Sequence, residues 1–422
     1  DRTVHTGLLE YKNVYRPARV ISYDKESGEL VLHNYMDFDD LKDYVKISYE
    51  LTQDGLVISK GKLPEVSAAP HSEGKINLKI NVPESGKCYL KFIYHLKKEL
   101  PLLDEDHILG FDEIEVSKDG AKCKLAEKWL QKTAVDSELQ VNENDTQIHI
   151  KGREFAYTID KRTALFTEMK FAGREYLNHP MELNIWRAPT DNDMYIKSEW
   201  KKAHYDKAYT RAYTTEVVQG KHGVKITSHA SVVAETVQKI LDVTITWKIE
   251  AAGKIDADIA VTKDDEFPDL PRFGVRMFLD KKLSAARYFG MGPQESYCDK
   301  HQAASHGLYH ANVDDLHEDY IRPQENGSHY DCEYVELNNS RYGIVVSAEN
   351  AFSFNASYYT QEELEKKTHN YELTESDSVV FCVDYALNGI GSNSCGPVVL
   401  EQYRFDDVLF RFQFTLIPYV KG

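Results

Sequence analysis

The sequence lacks the features of a membrane protein or of a disulfide-built scaffold. No uncharged apolar run approaches the roughly 18 residues of a transmembrane helix. Six cysteines are scattered over 422 residues without a Cys-x-x-Cys pair, so the common disulfide and zinc patterns are absent from the sequence. We expect free thiols, mostly buried, at Cys88, Cys123, Cys298, Cys332, Cys382 and Cys395.

Familiar catalytic motifs are missing as well. HExxH, Walker A, GxSxG and GxGxxG do not occur, and Gly290-Met291-Gly292-Pro293 lacks the third glycine of a nucleotide loop. Histidines cluster at positions 301, 306, 310 and 317. His306 and His310 would share one face of a helix and could ligate a metal, but Gly307 interrupts that helix. We therefore interpret the cluster as surface or loop histidines and predict no metal site.

The charge balance excludes other partners. Lys and Arg number 51 against 68 Asp and Glu, which gives a formal net charge of −17. Such a surface repels phosphate backbones, so neither nucleic acid nor an anionic membrane is an expected partner. Aromatic residues make up 11% of the chain, which excludes a mainly disordered protein.

The first part of the chain alternates apolar and polar residues with the period of a β-strand. Residues 45–51 and 56–59 are two such runs, and Asp54-Gly55 between them is a strong hairpin signal. About seven short strands in roughly 120 residues are typical of an immunoglobulin-like β-sandwich. We assign this fold to residues 1–130, and a charged stretch at 122–136 separates it from the remainder.

The second part, residues 137–422, continues the β pattern. Residues 243–249, 255–261 and 410–416 alternate cleanly, whereas helical signal is confined to 198–213 and 361–367. Because strands and helices do not alternate regularly, the pattern predicts one large antiparallel sandwich. Taken together, the sequence predicts an all-β protein.

Aromatic side chains offer two interpretations. They could form a sugar-binding platform, since rings pack on the C–H faces of sugars, or they could fill a large β core. The core is favoured for each one. The candidates are Trp186, Trp200, Tyr288, Phe289, Tyr297, Tyr309, Tyr320, Tyr358 and Tyr359.

Several segments resemble one enzyme family. Asn184–Asp193 contains an Arg-Ala-Pro-Thr-Asp-Asn-Asp run, and Tyr288–Asp299 contains Gly-Met-Gly-Pro-Gln-Glu-Ser-Tyr-Cys-Asp. Arg322–Gly327 and Leu387–Gly391 follow in the same order. These runs are similar to those in the C-terminal part of bacterial β-galactosidases of glycoside hydrolase family 2. The resemblance covers nearly the whole chain, and Asp1-Arg2-Thr3 resembles the segment just after the family's catalytic barrel.

The resemblance implies a fold and a supporting function. The fold would be an immunoglobulin-like domain followed by a galactose-mutarotase-like antiparallel β-supersandwich. The function would be that of the non-catalytic C-terminal portion of a retaining enzyme that hydrolyses terminal non-reducing β-D-galactosides. A (β/α)₈ barrel needs about 250 residues of alternating strand and helix, and this chain has no such region. We assign no catalytic residue, Asn142-Glu143 included, and expect the chain alone to be inactive.

Cofactors and partners are also implied by the resemblance. The chain itself is expected to hold no cofactor, while Mg²⁺ and a monovalent cation would belong to the missing barrel. The expected partner is that barrel, either upstream in the same polypeptide or as a separate large subunit, and the parent enzyme is expected to be a homo-oligomer. The start at Asp1, without Met or a signal peptide, suggests that the natural N-terminus is missing. The expected compartment is the bacterial cytoplasm or periplasm.

The family motifs also supply candidate site residues. Well-known members lend a Trp to the galactoside pocket a few residues after the Gly-Ile-Gly run, and here Cys395 stands nearest that position. Cys395 is thus the candidate substrate-binding residue, or alternatively only a small loop residue. Structural or interface candidates, whose loops could face the missing barrel, are Arg187, Asp191, Asn192, Asp193, Glu295, Glu325 and Asn326.

A purely structural interpretation of these motif loops is favoured over a role at an active site. Arg187 beside Asp191 and Asp193 could form a charge-assisted network that holds a loop. Asn326-Gly327 predicts a tight turn with a positive φ at one of the two residues.

Two alternatives stay open at the level of the sequence. The chain could be the separately encoded small subunit of a two-chain β-galactosidase. It could also be a free-standing carbohydrate-binding or mutarotase-like protein, which would need a general acid and a general base. Glu295 and a nearby histidine are the candidates for those two roles.

Overall fold

A computed structural model describes residues 2–117 and 139–421, which divide into two compact units. Among these residues, the first unit holds 2–117 together with Phe289–Pro293 and His301–Leu308. The second unit holds the other described residues. The predicted domain boundaries at 130 and 137, the charged stretch at 122–136 and Cys123 all lie outside the described residues. The boundaries therefore stay predictions.

The first unit is a sandwich of two antiparallel sheets. Its strands are β1 (Ala18–Tyr23), β2 (Glu29–Asn34), β3 (Val45–Gln53), β4 (Leu56–Lys62), β5 (Glu73–Asn77), β6 (Cys88–Leu96) and β7 (Ile108–Ser117). One sheet has the order β1-β2-β5 and the other β4-β3-β6-β7, which is an immunoglobulin-like arrangement. Two helices accompany the described strands, α1 (Thr6–Val14) and α2 (Leu41–Tyr44).

The hairpin between β3 and β4 has the turn that the sequence predicts. Asp54 has φ 49° and Gly55 has φ 82°, so both central residues adopt the positive φ of a type I′ turn. Leu51 from β3 packs with Leu32 and Phe92 in a core that draws on both sheets. The alternation of apolar and polar residues therefore correctly marked the inward faces.

The second unit contains a small and a large antiparallel sheet. The small sheet has the order β12-β11-β10-β9-β8, from β8 (Gln140–Glu143), β9 (Gln147–Lys151), β10 (Phe155–Asp160), β11 (Leu165–Phe171) and β12 (Arg174–Glu175). The remaining strands of the chain are β13 (Leu177–Asn184), β14 (Tyr209–Gln219), β15 (Gly223–Val233), β16 (Leu241–Glu250), β17 (Ile255–Lys263), β18 (Arg272–Asp280), β19 (Ala285–Gly292), β20 (Ser305–Asn312), β21 (Ser328–Asn338), β22 (Tyr342–Ser357), β23 (Ser378–Leu387) and β24 (Leu409–Val420). Parts of β19 and β20 are assigned to the first unit. The large sheet runs β13-β18-β23-β22-β24-β17-β16-β15-β14. The chain is thus all-β, as predicted.

The core of the second unit follows from the alternation in β16. Val243, Ile245, Trp247 and Ile249 point inward and are at most 3% exposed, while Thr244, Thr246 and Lys248 between them are more exposed. The indole nitrogen of Trp247 donates to the carbonyl of Ala164 at 2.8 Å, so its one polar group is satisfied inside the core.

Helices are short, and one predicted helix extends too far. The pattern at 198–213 yields only α3 (Ile196–Lys202), because His204 adopts φ 57° and β14 begins at Tyr209. The helix predicted at 361–367 is confirmed as α4 (Gln361–Lys366), whose N-cap Thr360 accepts from the amide of Glu363 at 3.1 Å. None of the described helices is long and apolar enough to cross a bilayer.

The turn that leads into β21 contains a glycine in the left-handed region of backbone conformation. Gly327 has φ 71°, as predicted from the Asn-Gly sequence, and a Cβ there would overlap the carbonyl oxygen of Leu316. Gly173 has φ 77° with open space around it. We expect Gly173→Ala to lower the free energy of unfolding by about 1 kcal/mol and Gly327→Ala by about 2–4 kcal/mol. Urea unfolding followed by tryptophan fluorescence measures both, and equal losses would contradict the role of the Leu316 contact.

Candidate functional site

A buried guanidinium organises the loop that follows β13. Arg187 is fully buried, and its Nη2 and Nε donate to the two carboxylate oxygens of Asp193 at 2.7 and 3.2 Å. This is a two-point, charge-assisted pair, which offsets the cost of removing both charges from water. Asp191, also a predicted partner of Arg187, instead accepts from Gln324 at 3.4 Å at the surface.

The Asp193 carboxylate has a second task in the same loop. It accepts from the amide and the hydroxyl of Thr190 at 2.9 and 3.2 Å, which caps the short 3-10 turn Asp191–Asp193. The spacing Thr-x-x-Asp is that of a capping box. The loop conformation and the ion pair therefore depend on one side chain.

The same loop binds the segment that carries the Gly-Ile-Gly run. The remaining Arg187 donors reach the carbonyl oxygens of Asn388 and, at 3.1 Å, of Gly389. Asn192 donates to the carbonyl of Gly391 at 2.7 Å and accepts from the Ser394 hydroxyl at 2.7 Å. Residues 187–193 thus hold residues 388–394, mostly through main-chain atoms.

A further carboxylate, missed by the sequence analysis, holds the same segment. The amides of Ile390 and Gly391 donate to the two oxygens of Asp299 at 2.8 and 2.7 Å. A Cβ at Gly389 would lie 2.8 Å from an Asp299 oxygen, so only glycine fits there without a shift. The position of Asp299 at the end of the Gly-x-Gly-Pro-x-Glu-x-Tyr-x-Asp run was the available signal.

A second buried charge cluster contains Glu325. Arg272 donates to both oxygens of Asp384 at 3.1 and 2.5 Å and pairs with Glu325 at 3.2 Å. Burial raises the pKa of both carboxyls, and the neighbouring guanidinium partly offsets that effect. The amide of Glu325 donates to the carbonyl of Ala188 at 3.0 Å, which joins this cluster to the loop of Arg187. Sequence reasoning missed Arg272 and Asp384.

Glu295 is held by its neighbours through both carboxylate oxygens. Lys300 donates to one oxygen at 2.5 Å, the Tyr320 hydroxyl also contacts it, and the amide of Gly327 donates to the other at 2.8 Å. Burial, followed by the Glu295 charge, raises the pKa of Tyr320 to about 12. Asn326 accepts from the amide of Glu318 at 3.0 Å, which closes the adjoining turn. Glu295 and Asn326 thus stabilise loops.

Cys395 is an exposed free thiol on the segment held by Asn192, with the Ser394 hydroxyl 3.7 Å from its sulfur. Its role in substrate binding stays a prediction. Among the other described cysteines, Cys88, Cys332 and Cys382 are buried and Cys298 is partly exposed.

The histidines that cluster in the sequence have separate environments. His306, in the first unit, stacks on Tyr89 at 4.0 Å between ring centroids and lies 2.7 Å from Glu113. His317, in the second unit, packs against Tyr359 at 5.0 Å. Within residues 2–117 and 139–421, no group of three or more His, Cys, Asp or Glu is placed to hold a metal ion.

The aromatic candidates divide by burial. Trp186, Trp200, Tyr288, Phe289 and Tyr297 are at most 3% exposed, which agrees with the core interpretation. The four others are partly exposed: Tyr309, Tyr320, Tyr358 and Tyr359.

Two family models match this chain. Residues 151–416 match the model of the β-galactosidase small chain, and residues 30–117 match β-galactosidase domain 4. The chain belongs to the β-galactosidase small-chain family.

Relatives match the chain over nearly all its length. A β-galactosidase of Actinobacillus pleuropneumoniae is 43% identical over 99% of this chain, and one of Staphylococcus xylosus is 31% identical over 99%. The chain spans only 40% and 41% of these two relatives.

Solved structures of sugar epimerases are similar at a low level. A galactose 1-epimerase from Lactobacillus acidophilus covers 68% of this chain and 100% of its own length, with 8% identity and a TM-score of 0.34. An aldose epimerase homologue from C. elegans covers 68% of this chain and 99% of its own, with 8% identity and a TM-score of 0.32.

The Arg187–Asp193 pair predicts a large loss of stability when it is broken. Arg187→Met leaves the Asp193 carboxylate buried without its partner, so we expect the free energy of unfolding to fall by about 3–5 kcal/mol. Asn192→Ala, in the same loop but partly exposed, should cost only about 1 kcal/mol. Urea unfolding of the full chain tests this, and an Arg187→Met loss no larger than that of Asn192→Ala would contradict the interpretation.

His317 predicts a pH dependence of stability. Burial lowers the pKa of His317, and the nearby Asp319 charge only partly offsets this. The folded state therefore favours neutral His317, whereas the unfolded chain takes up the proton near pH 6.5, so this contribution to stability is lost as pH falls below about 6.5. Between pH 7.5 and 5, we expect the free energy of unfolding to fall less for His317→Phe than for the unmodified chain. The control His310→Phe, at an exposed site, should behave as the unmodified chain. An unchanged pH profile for His317→Phe would refute this.

Proposed function

We propose that this chain is the non-catalytic, C-terminal supporting portion of a retaining β-galactosidase that hydrolyses terminal non-reducing β-D-galactosides. Family membership supports the assignment to that enzyme. The limited coverage of the relatives supports the proposal that the chain is one portion of a longer enzyme, because the matched relatives are about two and a half times as long as the matched stretch.

The observation that carries the proposal is the use made of the buried charges. Buried Arg187 donates to Asp193 and to the main-chain carbonyls of 388 and 389. The partly buried Asp299 accepts from the main-chain amides of 390 and 391. Glu295 has protein donors on both oxygens. Charged groups with such partners hold loops in place. The segment that they hold leads directly to Cys395.

Partners and cofactors follow from the same proposal. The catalytic barrel is the partner, either in the same polypeptide or as a separate large subunit, and the complete enzyme is a homo-oligomer of the bacterial cytoplasm or periplasm. Mg²⁺ and the monovalent cation belong to the barrel, and this chain contributes no cofactor ligand.

The first test is activity of the isolated chain. We expect the purified full chain to give no turnover of o-nitrophenyl β-D-galactoside, because the catalytic carboxylates belong to the barrel. A contaminating host enzyme is excluded by expression in a strain without β-galactosidase. Turnover that copurifies with the chain would overturn the assignment as a non-catalytic portion.

The second test is a chimera. This chain replaces the matched 419-residue stretch of the Actinobacillus pleuropneumoniae relative, and we expect galactoside hydrolysis to be retained. The relative without that stretch is the negative control, and co-expression of the two pieces as separate polypeptides tests the two-chain arrangement. A folded chimera without turnover would contradict the proposal.

A further inference from the structure

The second unit contains a cavity that is separate from the buried charge clusters described above, because no charged side chain of those clusters lines it. Its volume is about 320 Å³, and it lies beside β21, β22 and β23 and the segment 402–407. This volume is at the lower end of the roughly 300–1,000 Å³ typical of small-molecule sites, so it suits a ligand of one ring. Four buried apolar or aromatic side chains belong to its lining, namely Tyr297, Phe352, Leu387 and Phe405.

Irregularities in two neighbouring strands form one wall of this cavity. Between the pairs His329–Phe354 and Cys332–Phe352, β21 carries an extra residue, and Asp331 there adopts φ 52°. The register shifts again after Cys332, so residues 348–351 of β22 leave the ladder. Bulges re-aim side chains and often occur beside binding sites. Here they bring Asp331 and Ala351 to the cavity.

A fixed aromatic ring forms another wall. The Tyr385 ring stacks on Phe410 at 4.9 Å between centroids and contacts Phe405 at 5.8 Å. Because Phe410 already packs on one face of the Tyr385 ring, the ring loses little conformational freedom when a ligand lies on its other face. Tyr330 and Tyr403, both partly exposed, also line the cavity.

Polar groups stand at the exposed rim. Gln402, Arg404 and Asp407 line the cavity and are exposed. The Nε of Arg404 donates to the carbonyl of Val399 at 3.1 Å, which fixes the guanidinium. Within the part of the chain that the structure describes, the Asp407 carboxylate makes neither a hydrogen bond nor an ion pair, so it is available to accept from hydroxyl groups.

The chemistry of this lining selects a ligand class. Two lining carboxylates, Asp331 and Asp407, stand against one lining cation, Arg404, so a phosphate or carboxylate ligand would be repelled. A lining that combines buried rings with exposed polar groups suits a molecule with apolar C–H faces and a belt of hydroxyls. We propose that this cavity binds one neutral pyranose ring.

This proposal does not depend on the proposed function. The cavity is built from residues of the second unit alone, and sugar binding there requires neither a barrel nor galactoside hydrolysis. Failure of the chimera would leave the binding site standing, and failure of sugar binding would leave the chimera test unaffected.

The test is direct binding to the full chain. Methyl β-D-galactoside and methyl β-D-glucoside are titrated by saturation-transfer NMR and by calorimetry, with adenosine as a flat, neutral ligand of another class. We expect saturable binding of at least one glycoside with a Kd in roughly the millimolar range, as suits so small a ligand. No saturable binding of either glycoside up to about 100 mM would overturn the proposal. Binding of adenosine with displacement of the glycoside would overturn the assignment to sugars.

Variants locate the site. Ala351 is exposed at the rim, so Ala351→Trp should fill the opening without disturbing the core and abolish binding, while Ala351→Ser retains it. Asp407→Asn should weaken binding about tenfold through loss of charge-assisted hydrogen bonds, and the exposed control Asp265→Asn should leave the Kd unchanged. Circular dichroism establishes that each variant is folded. Glycoside binding that Ala351→Trp and Asp407→Asn leave unchanged would place the sugar elsewhere and refute this site.

Discussion

The pairing of Arg187 with Asp193 is the constraint that joins two distant loops of the second unit. A guanidinium without water contact must have its donors satisfied by the protein, or burial of the charge is prohibitively costly. Arg187 meets this requirement with a carboxylate and the carbonyls of Asn388 and Gly389. Those partners come from segments about 200 residues apart, so one side chain ties the two segments together.

The other charge clusters repeat this logic around the same loops. Arg272 pairs with Asp384 and Glu325 inside the sheet, and Lys300 pairs with Glu295 beside the turn at Gly327. Such clusters are costly to bury, and in some proteins buried polar groups favour one particular conformation at the expense of stability. The buried charges of the second unit thus serve to fix the geometry of its loops.

The sequence predicted the elements that depend on local periodicity. The predicted strand at 243–249 and turn at Asp54-Gly55 occur, and the helix predicted at 361–367 occurs at 361–366. Alternation, turn chemistry and capping act over a few residues, so the sequence carries these signals. Pairings between distant strands left no such signal. Arg272 and Asp384 meet because β18 pairs with β23, and nothing in either strand identifies its partner.

Irregular geometry was equally invisible to the sequence. His204 ends α3 by adopting φ 57°, although the pattern continues to favour a helix beyond it. The bulges near Asp331 depend on the register between β21 and β22, which is a property of the whole sheet. The motif loops were singled out only through family resemblance, and their hydrogen-bonding partners were found only in three dimensions.

The division of β19 and β20 between the two units has a practical consequence. The polypeptide leaves the second unit at 289–293, returns to it, and leaves it again at 301–308. No single cut can therefore separate the units as intact pieces, and a fragment ending within residues 118–138 would lack part of the first unit. Neither unit is expected to fold as an autonomous module when it is expressed alone. The two units should therefore be exchanged and engineered together.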